Sequence, residues 1–246
     1  ILIRRIPNKK HSLFEIKYTS DNVSLFLARI TTIMIFFLTL IIATPIGVFT
    51  GFYLIEYAKK GNKLVEIIRI TTETLSGIPS IVFGLFGMLF FVISLGFQYS
   101  LIAGTLTAAI MVLPLIIRST EEALLSVDDS LREASFGLGA GKLRTIFKIV
   151  LPVAMPGILS GVILSIGRIV GETAALMYTL GTVAKIPNGL FSSGRTLSLH
   201  MYLLSTEGIH VNESYGTGVI LLILVLIING LSTYLSNKLG KGGYNE

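Results

Sequence analysis

Arg168 and Glu172 stand in a stretch that is otherwise free of charge from Ile149 to Leu180. A charge at the centre of a membrane span costs about 2.5–3.5 kcal/mol on insertion scales. Their i, i+4 spacing predicts one helix face and an ion pair that offsets part of that cost. A guanidinium held there can attract an anion along a water-filled path, with the carboxylate moderating its charge. The same pair can equally be a structural tie between helices. Arg195, in the polar stretch that follows, is a second candidate for the same anion. A polar, basic, glycine-containing segment without bond-making residues separates two apolar runs: LREASFGLGAGKLRTIFKIVLP (131–152). There Glu133, Ala134 and Ser135 are followed by Gly139, then by Ile149, Leu151 and Pro152. Glu133 is expected in the first turn of a helix, where a carboxylate suits the positive dipole end. Small Ala134 and Ser135 let another surface approach. Gly137, Gly139 and Gly141 break the helix, and glycine admits positive φ. A second short helix, 142–150, would turn Lys142, Arg144 and Lys148 to water and Leu143, Ile146, Phe147 and Val150 away from it. An ordinary basic connector is the alternative.

Other chemistries lack their residues. The chain has no cysteine, so neither disulfide nor thiolate chemistry is open to it. His11, His200 and His210 are scattered and read as loop residues, not as metal ligands. Gly137–Leu143 imitates a phosphate loop, but Phe136 stands where the first glycine belongs and Leu143 where Ser or Thr must follow the lysine. No nucleotide or other cofactor site is expected in this chain, so ATP and Mg chemistry would belong to a partner. Glu121-Glu122 with Asp128-Asp129 is the one acidic cluster, and it lacks the spacing a lipid-phosphate enzyme would need for metal work.

The elements that position these residues are apolar. The composition is 52% hydrophobic and 14% charged, and the mean hydropathy is +0.79. Soluble domains carry roughly 25% charged residues. The expected fold class is an all-α integral membrane bundle. Charge-free stretches predict five spans near 30–54, 78–96, 101–118, 157–180 and 217–237, within a transmembrane domain 30–237. The apolar opening Ile1-Leu2-Ile3 is expected to be the last turn of a further span, giving six. If the 119–156 loop is inside, 1–29 and 181–216 would lie outside and the tail 238–246 inside. The inner segments then hold more Lys and Arg than the outer ones. The net charge of +6 is thereby explained by topology and calls for no nucleic acid. Glu56–Ser76 places Leu64, Ile67, Ile68 and Leu75 at helical spacing opposite Lys59, Lys60, Lys63 and Arg69, an interfacial helix. Pro79 is expected in the first turn of the next span. Pro45 and Pro114 are expected to bend theirs. Gly84, Gly87, Gly157, Gly161, Gly167 and Gly171 allow close helix approach. The 181–216 segment is too polar to span and is expected to form a short helix or re-entrant cover.

The offsets E-A-S-x3-G-x9-I-x-L-P, from Glu133 to Pro152, resemble the EAA loop of ABC-importer permeases, with Ser135 for the last alanine. PIGVFTGFYLIEYA (45–58), TLSGIPSIVFGLFG (74–87), GRIVGETAAL (167–176), SGRTLSLHMY (193–202) and Asn229 extend the resemblance to the PstA-type phosphate permeases. The resemblance covers 13–239. It implies a MetI-like permease fold and an ATPase-coupling role for Glu133, Ala134, Ser135, Gly139, Ile149, Leu151 and Pro152. It further implies a PstC-like permease partner, two PstB-like ATPase subunits, a PstS-like phosphate-binding protein, a lipid bilayer and inorganic phosphate, in a bacterial or archaeal cytoplasmic membrane. The alternatives are a PstC-type subunit, a permease for sulfate or molybdate, a channel, and an integral membrane enzyme acting on lipid phosphates.

Overall fold

The computed structural model describes residues 25–58, 61–207 and 211–242, with 235–242 as backbone alone. His11, His210, Lys59, Lys60, the 1–24 part of the first segment and 243–246 lie outside the described residues. The helices, in chain order, are α1 (Phe26–Phe52), α2 (Lys63–Ser76), α3 (Ser80–Gly87), α4 (Leu101–Leu125), α5 (Asp129–Gly137), α6 (Lys142–Thr145), α7 (Leu151–Gly171), α8 (Ala174–Thr179), α9 (Leu197–Glu207) and α10 (Val211–Gly242). Wider π-helical turns extend α1 (Tyr53–Tyr57) and α3 (Met88–Ser94) and join α6 to α7 (Ile146–Val150). No strand occurs among the described residues.

Four helices are long and apolar enough to cross a membrane: Phe26–Tyr57, Leu101–Leu125, Lys142–Gly171 and Val211–Tyr234. The bent pair Lys63–Ser76 with Ser80–Ser94 would make a fifth, broken by 108°. The expected span near 78–96 is thus the second arm of a bent pair. Ser80–Ser94 rises only about 22 Å at 1.5 Å per residue, short of a roughly 30 Å hydrocarbon core. Pro79 cannot donate an N–H and stands as the N-cap outside the helix (φ −59°), not in its first turn. Two thirds of the apolar window of α4 is enclosed (67%), against 6% for α10. The apolar surface of α10 therefore faces outward, to lipid or a partner chain.

The chain divides into two compact units. One comprises the residues up to Leu40, Ile78–Met111 and Gly167–Ile227. In it α3 lies against α8 at backbone distance: a Cβ on Gly84 would stand 2.8 Å from Ala175 Cα. The first N–H groups of α4, which no helix carbonyl can reach, are met by the stretch before α9. Leu101 N donates to Ser192 O (2.9 Å) and Ile102 N to Leu190 O (2.8 Å). Thr32 Oγ1 accepts from Leu197 N (2.9 Å) and so holds the start of α9. The expectation that His200 is a loop residue fails: it lies within α9, 1% exposed.

The other unit comprises Ile41–Gly77, Val112–Ile166 and the chain from Ile228 onward. Its core is Ala123, Leu124, Val127, Val150, Ala154 and Ile158, with Val48, Phe52, Ile55 and Leu151 packed on it. Helix α7 meets α4 through glycines: a Cβ on Gly157 would stand 2.6 Å from Ala123 Cβ, and one on Gly161 would run into Ser119. Asn62 caps α2 by accepting from Leu64 N (3.0 Å). That helix buries none of its side chains, and Leu64, Ile67 and Ile70 are exposed.

Candidate coupling loop and membrane arginine

The loop residues expected to dock are built on a helix–turn–helix. Asp128 Oδ1 accepts from Ser130 N (2.8 Å) and caps α5. That bond holds the Asp128 carboxyl below its ordinary range. The first-turn acid is Asp129; Glu133 lies one turn further in, because the cap falls earlier than expected. Helix α5 closes with Leu138 N donating to Ala134 O (3.1 Å) and Gly139 N to Phe136 O (2.9 Å). Among the loop glycines only Gly139 has positive φ (+80°). Gly137 stays inside α5, and Gly141 is the N-cap of α6 at φ −76°.

Ser135, where the resembling motif has alanine, is buried and shares a hydrogen bond with Thr145 Oγ1 (2.8 Å). That bond fixes α5 against α6. The second helix is not the separate piece expected over 142–150. It runs through the π-helical turn into α7, so Lys142–Gly171 is one continuous candidate span, with Pro152 in the first turn of α7. Ile149 and Leu151 are half-buried, Leu151 against the core, whereas Glu133, Ala134, Gly139 and Pro152 are exposed. Ile146 and Val150 are buried as expected, but Leu143 and Phe147 are exposed. With Leu131, Phe136 and Leu138, which is 90% exposed, they form an uncovered apolar set on the loop.

One contact of this region has no local signature in the sequence. Arg132 binds Glu56, 76 residues earlier, through Nε (3.2 Å) and Nη2 (3.0 Å). Lys142 lies 4.7 Å from the centre of the Tyr57 ring.

Arg168 occupies the last turn of α7, where a cation complements the helix dipole. The expected pair with Glu172 does not form. The helix ends at Gly171, and Glu172 is buried beyond that end, so the two residues no longer share a helix face. Its carboxylate turns forward and accepts from Ala175 N (3.0 Å), while Ser198 Oγ donates to its backbone carbonyl (2.6 Å). Glu172 thus caps α8 and ties it to α9. Arg168 is half-exposed, and among the described residues no hydrogen bond or ion pair holds it. Arg195 donates from Nε to Thr182 O (2.7 Å), and its Nη1 lies 3.4 Å from His200 Nδ1. Burial, with Arg195 beside it, pushes the His200 imidazole down to about 4.

The described residues thus combine long apolar helices, a helix break after Gly171 beside Arg168, and an exposed helix–turn–helix that runs on into a long apolar helix. The family described as "Binding-protein-dependent transport system inner membrane component" matches residues 43–241, and the chain belongs to that family. It is 36% identical over 223 residues to the "Probable ABC transporter permease protein YqgI" of Bacillus subtilis (strain 168), covering 84% of this chain and 76% of that one. It is 39% identical over 192 residues to the "Phosphate transport system permease protein PstA 1" of Mycobacterium tuberculosis (strain CDC 1551 / Oshkosh), covering 77% of this chain and 62% of that one. The chain therefore spans under two thirds of that mycobacterial relative. Among solved structures, an inward-facing form of the MetNI methionine ABC transporter shares the fold at a TM-score of 0.67 and 22% identity, covering 85% of this chain and 91% of that one.

Proposed function

We propose that this chain is the PstA-type permease subunit of an ATP-driven phosphate importer, forming half of the translocation pathway and coupled to a separate ATPase. The observation that carries the reading is the α5–Gly139–α6 turn. It presents exposed Glu133, Ala134 and apolar side chains on one side and continues directly into a membrane span on the other. A force on the turn is thereby a force on the span. In this reading 119–156 and the tail face the cytoplasm and 181–216 faces outward. The partners are a PstC-like permease, two PstB-like ATPases that bind ATP and Mg, and a PstS-like phosphate-binding protein.

Phosphate as the cargo is supported by the mycobacterial relative's name and by Arg168, a half-exposed guanidinium suited to an oxyanion. The test is uptake of radiolabelled phosphate by cells lacking their own phosphate permease and supplied with this chain and its neighbouring subunits. Restored uptake, insensitive to excess sulfate or molybdate, is expected. Uptake of another oxyanion in its place would reassign the cargo. Failure of the chain to co-purify with an ATPase subunit would remove the coupling role.

A further inference from the structure

We propose that Arg132 and Glu56 are positioning residues that carry movement of the docking helix α5 into the end of α1. The proposal rests on the reading of α5 as the ATPase-docking element. Arg132 lies on α5 beside Glu133, and Glu56 lies in the π-helical turn that ends α1. The guanidinium makes five hydrogen bonds, as many as its N–H donors. Two reach Glu56 Oε1 (3.2 and 3.0 Å), one Leu124 O (2.9 Å), one Val127 O (2.8 Å) and one Asp129 Oδ1 (2.9 Å). Leu124 lies in the last turn of α4, where carbonyls lack helical partners, and Val127 two residues beyond its end. One side chain of α5 therefore holds the ends of both α4 and α1. The Arg132 and Glu56 side chains are only 14% and 10% exposed, whereas Asp129 is 87% exposed. Exposed pairs contribute little; breaking an enclosed one strands a charge. The α7 route is covalent, because α6 runs into that span. The α1 route is this guanidinium, with the adjoining apolar contacts of Phe52 and Ile55 behind it.

The test uses the whole transporter, co-expressed with its partner subunits and reconstituted in proteoliposomes. It measures ATP hydrolysis and cargo uptake in the same sample. Glu56→Ala and the near-isosteric Glu56→Gln are expected to retain the ATPase and hydrolyse ATP. Uptake per ATP should fall by at least about fivefold, the lower end of ordinary coupling between sites. Asp129→Asn, which alters the same guanidinium's exposed contact, is expected to keep the wild-type ratio. A merely stabilising role would lower hydrolysis and uptake together and leave the ratio unchanged. An unchanged ratio in both Glu56 variants overturns the proposal. So does loss of the ATPase from them, which would confine the pair to seating the docking helix while leaving that helix's role intact. An equal loss in Asp129→Asn also overturns it. If the wild-type chain binds no ATPase, the docking reading fails first and the link with it. Should Glu56→Ala fail to insert, Glu56→Gln decides.

Discussion

At the scale of residues, Gly139 is defined by its backbone and not by crowding. Its φ is +80°, and a Cβ there would meet nothing within 4 Å. A side chain is therefore resisted by the left-handed conformation alone, worth about 1–2 kcal/mol for most L-residues. Asparagine visits that region readily. Gly139→Asn is expected to bind the ATPase at near wild-type level and Gly139→Val to lose it, with both inserted in membranes, as read by co-purification. Equal binding by the two would show that φ at this turn is not limiting. His200 gives a pH prediction. Its folded pKa, about 4, lies below the ordinary 6.5, so the unfolded chain takes up a proton that the folded chain refuses. The stability is fully present above pH 6.5 and falls as pH drops from there toward 4. The melting temperature in detergent is expected to decline across that window, and less steeply in His200→Gln. Identical slopes would mean that other groups set the acid limit.

Among elements, the joint between α7 and α4 is set by the absence of side chains. A Cβ on Gly157 meets Ala123, one on Gly161 meets Ser119, and one on Gly171 meets nothing. Forcing extra atoms into a packed contact costs about 1–3 kcal/mol. Gly157→Leu is expected to lower the melting temperature of the detergent-solubilised protein, and Gly171→Ala to leave it unchanged. A Gly157→Leu protein as stable as wild type would show that the helices slide to make room. The all-helical apolar class and the glycines that allow close approach were legible in the sequence, because hydropathy and glycine spacing act locally along one helix; which helix those glycines meet was not. The loop was legible because its offsets resemble a motif. Three features were not. The break after Gly171 was hidden because Glu172 can either pair with Arg168 or accept from Ala175 N, and spacing alone does not choose between them. The Arg132–Glu56 contact joins residues that no periodicity connects. The exposed Leu143 and Phe147 face outward in the isolated chain, whereas amphipathic spacing only says that they share a side.

For the whole molecule, orientation comes first. The proposed topology puts the α5–α6 turn and the stretch before α9 on opposite sides of the membrane. The chain has no native cysteine, so single cysteines at Leu138 and Phe191, both exposed, report their sides cleanly. An impermeant reagent applied to intact cells is expected to label Phe191→Cys and spare Leu138→Cys. Labelling of both from outside would overturn the count of crossings between them. The last expectation is the function of the membrane arginine. Arg168 lacks the carboxylate partner its spacing forecast, and an ion in a bilayer without a protein partner must face water, headgroups, cargo or another subunit. If it serves the anion, Arg168→Gln abolishes uptake while the complex still assembles and hydrolyses ATP. Glu172→Gln should transport normally, because an amide oxygen can still accept from Ala175 N. The double variant should then match Arg168→Gln. If instead the two residues pair in another state of the transport cycle, removing either strands the other charge, and removing both relieves it. Transport restored in the double variant would therefore make the pair structural and take Arg168 out of the pathway.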